Sequence, residues 1–136
     1  MQETRKTHVL IIDDDPVYRE VLRVMLSAEG YALEMAEDAV DGGKALLAQQ
    51  PDLIICDVEM PYMDGLELLS LLRSHDSTRS LPVIFVSGRS DIDILGRAAQ
   101  LGASDYLVKP LTRERLLESV KTCLMKTKGD GIGIAP

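Results

Sequence analysis

The sequence predicts an α/β protein with a parallel β-sheet between helices, and three features lead to this prediction. Short apolar segments without polar alternation recur along the chain, which is typical of strands covered on both faces. Segments with apolar residues at helical spacing separate them. Because each connection contains a helix, neighbouring strands have the crossover that parallel pairing requires.

Five strands and five helices are predicted in alternation. The predicted strands are His8 to Asp13, Ala32 to Ala36, Asp52 to Cys56, Val83 to Val86 and Tyr106 to Val108. The first predicted helix follows Pro16, and the second runs from about Ala39 to Gln49. The other three cover Leu66 to Leu72, about Asp91 to Leu101, and a Thr112 cap to about Met125. Glycines end the first and fourth helices, and a proline follows the second.

Length and composition predict one domain. The 136 residues are 46% hydrophobic and 27% charged, a globular balance with room for a single core. We expect a flexible N-terminus over 1–7, the domain over 8–126, and a glycine-rich flexible tail or linker start over 127–136. No further domain is predicted after the last helix, so we expect the chain to be either a stand-alone protein or part of a longer one.

Charge and hydropathy argue against several partners. The net charge of −7 argues against direct nucleic-acid binding by this domain, because phosphate backbones require a basic face. No apolar segment approaches the ~20 residues of a membrane-spanning helix, and no signal peptide is predicted. The two cysteines, Cys56 and Cys123, are expected to be reduced and buried. We therefore expect a cytoplasmic protein that does not bind membranes.

Polar residues follow four of the five predicted strands. In an open parallel sheet, ligands bind outside the carboxyl ends of the strands, so these residues should lie together. They are Asp13, Asp14 and Asp15 after the first strand, Asp57 after the third, Ser87 after the fourth and Lys109 after the fifth. The sequence thus predicts one site that combines carboxylates, a hydroxyl and an ammonium group.

This combination of residue types suits phosphoryl transfer. Converging carboxylates repel one another unless a cation lies between them, and hard oxygen ligands suit Mg²⁺ or Mn²⁺. A divalent ion, the Lys109 ammonium and the Ser87 hydroxyl together provide partners for the oxygens of a transferring phosphoryl group. A carboxylate can accept that group covalently. Asp57 is the natural nucleophile because it stands alone on the central strand.

Four segments resemble the receiver domain of two-component response regulators. They are Ile11 to Pro16 (IIDDDP), Asp52 to Gly65 (DLIICDVEMPYMDG), Pro82 to Gly88 (PVIFVSG) and Gly102 to Pro110 (GASDYLVKP). The resemblance extends from about Val9 to Leu124. It implies a flavodoxin-like sheet in the order 2-1-3-4-5 between five helices.

The resemblance also implies a phospho-acceptor and its metal ligands. Asp57 would accept a phosphoryl group from a sensor histidine kinase or a histidine phosphotransfer protein. Asp14 would bind Mg²⁺ directly, Asp13 would hold metal-bound water, and Asp57 and the backbone carbonyl of Glu59 would supply further oxygens. Mn²⁺ is a possible substitute. Such a protein is a signalling switch that catalyses only its own phosphorylation and dephosphorylation.

The switching residues implied by the resemblance are Ser87 and Tyr106. Ser87 would be the switch hydroxyl, Tyr106 the rotating aromatic residue, and Lys109 the lysine that contacts the phosphoryl group. The bond from Lys109 to Pro110 is expected to be cis. The surface of the fourth helix, fifth strand and fifth helix would report phosphorylation, and homodimerisation there is possible in this family.

Two neighbouring residues are predicted to modulate the site. Glu59 lies two residues beyond Asp57, and Arg89 lies two residues beyond Ser87, so both are expected at the mouth of the site. We hypothesise that they pair and hinder the water that hydrolyses the acyl phosphate. Asp15 is interpreted as a helix N-cap rather than a ligand.

The sequence has two alternative interpretations. The pattern Asp13-x-Asp15-x-Val17 also resembles the first motif of haloacid-dehalogenase phosphatases, but that family expects a further acidic pair after the lysine, and Asp57 would have no role. A degenerate receiver that serves only as a scaffold is disfavoured, because the whole acidic and basic set is present.

Overall fold

The computed structural model describes residues 5–130, which alternate between strands and helices. The strands are β1 (His8–Ile12), β2 (Ala32–Ala36), β3 (Leu53–Cys56), β4 (Val83–Ser87) and β5 (Asp105–Val108). The helices are α1 (Pro16–Leu26), α2 (Ala39–Ala48), α3 (Gly65–Arg73), α4 (Ile92–Gln100) and α5 (Arg113–Asp130), with a 3-10 turn over Ser27–Glu29.

The strands form one parallel sheet in the order β2-β1-β3-β4-β5, which confirms the predicted fold. Every residue of β1, β3 and β4 is buried, in keeping with their unbroken apolar sequences. The central position of β1 and β3 brings the residues that follow them, Asp13 and Asp57, side by side.

Two apolar clusters cover the two faces of the sheet. On one face, alternate strand residues such as Ile12, Ile54 and Phe85 pack against α2, α3 and α4. On the other, residues such as Ile11 and Ile55 pack against α1 and α5. Cys56 and Cys123 are free and buried, as predicted. Within residues 5–130, none of the helices has both the length and the apolar character needed to cross a membrane.

The predicted end of the last helix is wrong. Thr112 Oγ1 accepts a hydrogen bond from Arg115 N at 3.1 Å, as expected of the helix start, but α5 continues past Met125 to Asp130. Thr127, predicted to begin the tail, lies inside the helix, and its hydroxyl donates to the Cys123 carbonyl oxygen at 3.1 Å. Residues 1–4 and 131–136 of the predicted flexible ends lie outside the described residues, and the domain boundaries remain a prediction.

Candidate functional site

Three carboxylates converge at the carboxyl edge of the sheet. Asp13, Asp14 and Asp57 each offer an oxygen atom, and these atoms all lie within 4.8 Å of one another. Asp13 and Asp57 are buried at the ends of adjacent central strands, whereas Asp14 is exposed. The three carboxylates supply only hard oxygen donors, so the cluster could hold a divalent metal ion, with Asp14 on the side open to solvent.

Lys109 supplies the positive charge inside the cluster. Its Nζ donates to Asp13 Oδ2 at 3.0 Å and to Asp57 Oδ2 at 3.2 Å. The Lys109 backbone N–H donates to the Ser87 carbonyl oxygen at 2.8 Å, which fixes the start of the loop beyond β5. The Lys109–Pro110 bond is cis, as expected. The lysine therefore bridges the two buried carboxylates.

Attraction between Lys109 and the two buried carboxylates offsets part of the cost of burying these charged groups. Burial raises the pKa of Asp57, and the nearby Asp13 charge adds to this, while Lys109 works in the opposite direction. Burial by itself would lower the pKa of Lys109, but its hydrogen bonds and charge interactions with Asp13 and Asp57 outweigh burial and raise that pKa. Lys109 is consequently an ammonium group at neutral pH.

The loop after β3 aims the Asp57 side chain. Asp57 Oδ1 accepts a hydrogen bond from the Glu59 backbone N–H at 3.2 Å. Asp64 then begins α3 with a reciprocal capping box to Glu67. A Cβ on Gly65 would lie only 2.4 Å from the Asp57 carbonyl oxygen. Only glycine therefore lets α3 start this close to the backbone that carries Asp57.

Ser87 and Tyr106 are linked through the backbone of Arg89. Ser87 is buried, and its Oγ accepts a hydrogen bond from the Arg89 N–H at 3.1 Å. The Tyr106 hydroxyl donates to the Arg89 carbonyl oxygen at 2.7 Å. The Tyr106 ring also packs against Phe85, with ring centroids 6.0 Å apart. The two residues that the sequence singles out for switching thus contact the same loop residue.

Glu59 and Arg89 contact each other, as hypothesised, with 3.3 Å between Glu59 Oε2 and an Arg89 guanidinium nitrogen. Arg89 shares its guanidinium with Asp91, whose carboxylate is 3.1 Å away. The sequence did not indicate this second partner. The effect of the Glu59–Arg89 pair on hydrolysis stays a prediction.

The sequence did not indicate two residues that support the site, Tyr18 and Arg19. The Tyr18 ring centroid lies 4.3 Å from Lys109 Nζ, a cation–π contact. The Arg19 guanidinium donates to the Asp13 carbonyl oxygen at 2.6 Å. Asp15, in contrast, is the N-cap that was predicted, since its carboxylate accepts from Val17 N at 2.9 Å.

Comparison with known proteins agrees with the fold and the site. Residues 9–121 match the family model described as response regulator receiver domain. The match covers most of the chain, which therefore belongs to the response regulator receiver domain family, a class of signalling switches. Receiver domains accept a phosphoryl group from a histidine kinase in two-component signalling. The match favours the receiver interpretation over the phosphatase one.

The curated relatives are longer than this chain. The chain is 38% identical over 122 residues to response regulator MprA of Mycobacterium leprae, an alignment that covers 90% of this chain and 53% of that protein. It is 38% identical over 120 residues to response regulator MprA of Mycobacterium ulcerans, covering 88% and 51%. The chain thus spans about half the length of the curated relatives it matches.

Solved structures show the same fold. A putative response regulator from Chloroflexus aurantiacus J-10-fl superposes with a TM-score of 0.85 at 32% identity, covering 89% of this chain and 99% of that one. The chemotaxis protein CheY4 of Vibrio cholerae superposes with a TM-score of 0.82 at 27% identity, covering 88% and 99%.

Proposed function

We propose that Asp57 is the residue that accepts the phosphoryl group, and that Lys109, Ser87 and an Mg²⁺ ion assist it. The observation that carries this proposal is the contact of Lys109 Nζ with both Asp13 and Asp57. Asp13 is the weaker candidate acceptor, because its side chain is only 1% exposed. The Asp57 side chain is 10% exposed, which leaves it reachable from solvent.

The donor would be a phosphohistidine of a sensor histidine kinase or a histidine phosphotransfer protein. An Asp57 carboxylate oxygen would form a bond to phosphorus as the phosphorus–nitrogen bond breaks. The electron pair of that bond would return to the imidazole nitrogen, which takes up a proton. Lys109 would remain beside the phosphoryl oxygens and neutralise part of their charge.

Three groups would hold the metal ion directly: the carboxylates of Asp14 and Asp57 and the backbone carbonyl of Glu59. Asp13 would hold it through a metal-bound water molecule. Mn²⁺ would be accepted as a substitute because its ligand preference is similar. When bound, the ion offsets the repulsion between the carboxylates and the incoming phosphoryl group. The chain would catalyse only its own phosphorylation and dephosphorylation.

The output of phosphorylation would be a shift between two surface states. Ser87 would donate its hydroxyl to a phosphoryl oxygen, and Tyr106 would turn inward and give up its hydrogen bond to Arg89. This bias would reach the surface formed by α4, β5 and α5, where Ile92 and Val108 are exposed and a homodimer or an output partner could dock. Two free cysteines agree with a reducing cytoplasmic setting.

Phosphate uptake tests the proposal directly. The protein is incubated with Mg²⁺ and acetyl phosphate, its intact mass is measured, and the modified residue is mapped after the acyl phosphate is trapped by borohydride reduction. We expect one phosphoryl group on Asp57 and none in Asp57→Asn. Asp15→Asn is the matched control, because it changes an acid near the cluster but should leave uptake intact. Phosphate that persists in Asp57→Asn would refute the assignment.

A further inference from the structure

An open apolar groove lies between α2 and α3, outside the acidic site and the α4-β5-α5 surface. Its volume is about 480 Å³, and Val40, Leu46 and Leu47 of α2 and Leu71 and Leu72 of α3 line it. The side chains on its rim are unusually open to solvent for their type: Leu47 is 90% exposed, Val40 57% and Leu71 47%. A contiguous apolar patch of this kind marks an interaction site on a folded domain.

The two successive glycines in α2, Gly42 and Gly43, differ in whether packing within the domain explains them. A Cβ on Gly42 would lie 2.6 Å from Ile12 Cδ1, so packing of α2 on the sheet explains this glycine. A Cβ on Gly43 would meet no heavy atom within 4 Å among the described residues. Glycine inside a helix lowers helix stability, and no contact in the described domain requires it here.

Gly43 belongs to the face of α2 that borders the groove. Val40, Gly43, Lys44 and Leu47 follow the i, i+3, i+4, i+7 spacing of one helix face, and all four line the groove. Gly43 leaves a gap between the two exposed apolar side chains, Val40 and Leu47. A second backbone can approach α2 closely at this gap.

The charge of the groove is opposite to that of the whole chain. Lys44 and His75 are the ionisable residues in its described lining, which contains no carboxylate. The chain as a whole carries a net charge of −7. An occupant that carries carboxylates beside its apolar residues would complement this rim.

We propose that the α2–α3 groove binds an amphipathic helix of a partner protein, with its apolar residues in the groove, its backbone over Gly43 and its carboxylates beside Lys44 and His75. Helices that dock in this way present residues at i, i+3, i+4 and i+7. The site is separate from the phosphorylation chemistry, so the proposal stands independently of the function assigned to Asp57.

Three synthetic peptides of about fourteen residues, four helical turns, serve as probes. The first has leucines at the required spacing and glutamates on its flanks, the second has lysines in place of the glutamates, and the third has the first one's composition with its leucines out of register. Each is titrated into the isotope-labelled full chain while backbone amide shifts are recorded. We expect the first peptide to bind most tightly, with shifts confined to α2 and α3.

Four variants test the contacts. Leu47→Glu should weaken binding of the first peptide roughly tenfold or more, because a leucine contact is lost and a negative charge is placed near the glutamates of the peptide. Lys44→Glu should weaken binding of the first peptide and strengthen binding of the second. Gly43→Ala should weaken binding severalfold while it raises the thermal midpoint, since alanine favours the helix. Val24→Glu, on α1 and 56% exposed, is the matched control and should leave affinity unchanged.

Several results would overturn the proposal. Equal binding of all three peptides would show no recognition of spacing or charge. Unchanged affinity in Gly43→Ala would exclude close approach over that glycine. Sedimentation of the unsubstituted chain and of Leu47→Glu tests whether a second copy of this chain occupies the groove. Self-association that Leu47→Glu abolishes would assign the groove to such a copy and overturn the proposal.

Discussion

The hydroxyl of Tyr106 donates a 2.7 Å hydrogen bond to the backbone carbonyl oxygen of Arg89. The N–H of the same Arg89 donates to Ser87 Oγ. The loop after β4 is therefore held at one residue by the side chain that ends β4 and by the aromatic ring of β5. Motion of the Ser87 hydroxyl toward a phosphoryl group and rotation of the Tyr106 ring would both release this loop.

Tyr106→Phe tests whether the hydroxyl holds the ring outward. Phenylalanine keeps the ring and its packing on Phe85 but loses the bond to Arg89. A net hydrogen bond contributes about 0.5–1.5 kcal/mol, so the inward rotamer should become about twofold to tenfold more populated without phosphorylation. Side-chain scalar couplings and ring contacts measured by nuclear magnetic resonance report the rotamer. Identical populations in both proteins would show that packing alone sets the ring position.

Asp14→Asn tests the metal site without disturbing the core, because Asp14 is exposed. A ligand that binds only the folded state stabilises it by about 2.7 kcal/mol at one hundred times its Kd. Mg²⁺ should therefore raise the thermal midpoint of the unsubstituted protein and have little effect on Asp14→Asn. Asp15→Asn should respond to Mg²⁺ like the unsubstituted protein, because asparagine is also a good N-cap. Equal Mg²⁺ responses in all three proteins would exclude Asp14 as a ligand.

Glu59→Ala combined with Arg89→Ala tests the proposed shield over the acyl phosphate. Removing both side chains should admit water and speed dephosphorylation severalfold, which loss of protein-bound phosphate over time measures. Asp91→Asn is the informative companion, since it frees Arg89 from its shorter contact and should slow hydrolysis by favouring the pair with Glu59. An unchanged rate in the double variant would contradict the shielding role.

The fold and the residues at the strand ends could be predicted, because both follow from the order of strands and helices along the chain. Strand–helix alternation indicated the fold, and strand ends indicated Asp13, Asp57 and Lys109, because carboxyl ends of parallel strands share one edge. The support from Tyr18 could not be predicted, since the meeting of its ring with Lys109 depends on how α1 packs. The end of α5 was misjudged because the residues after Met125 lack apolar periodicity, although helical hydrogen bonding continues there.

Gly65→Ala tests the close approach of α3 to the site. The added Cβ would meet the Asp57 carbonyl oxygen at 2.4 Å and Phe85 Cε1 at 2.9 Å, so the backbone must shift. Overpacking of this kind costs about 1–3 kcal/mol, which denaturant unfolding measures, and phosphate uptake should slow as Asp57 is displaced. Gly96→Ala in α4 is the matched control: nothing lies within 4 Å of its added Cβ, so it should stabilise the domain. Equal effects of both substitutions would refute the argument.

Asp52→Asn tests the pH dependence of stability at the opposite edge of the sheet. Burial acts to raise the pKa of Asp52, but hydrogen bonds from the Arg5 guanidinium and the His8 N–H, each 2.8 Å long, outweigh it and lower that pKa. A lowered folded-state pKa gives stability that is present above the unfolded value of 3.8 and is lost as pH falls through the folded value. The unsubstituted protein should therefore be more stable than Asp52→Asn at neutral pH, and the difference should narrow below pH 3.8 in unfolding measured across the acid range. A difference that stays constant with pH would mean that the shape of the side chain, and not its charge, anchors β1.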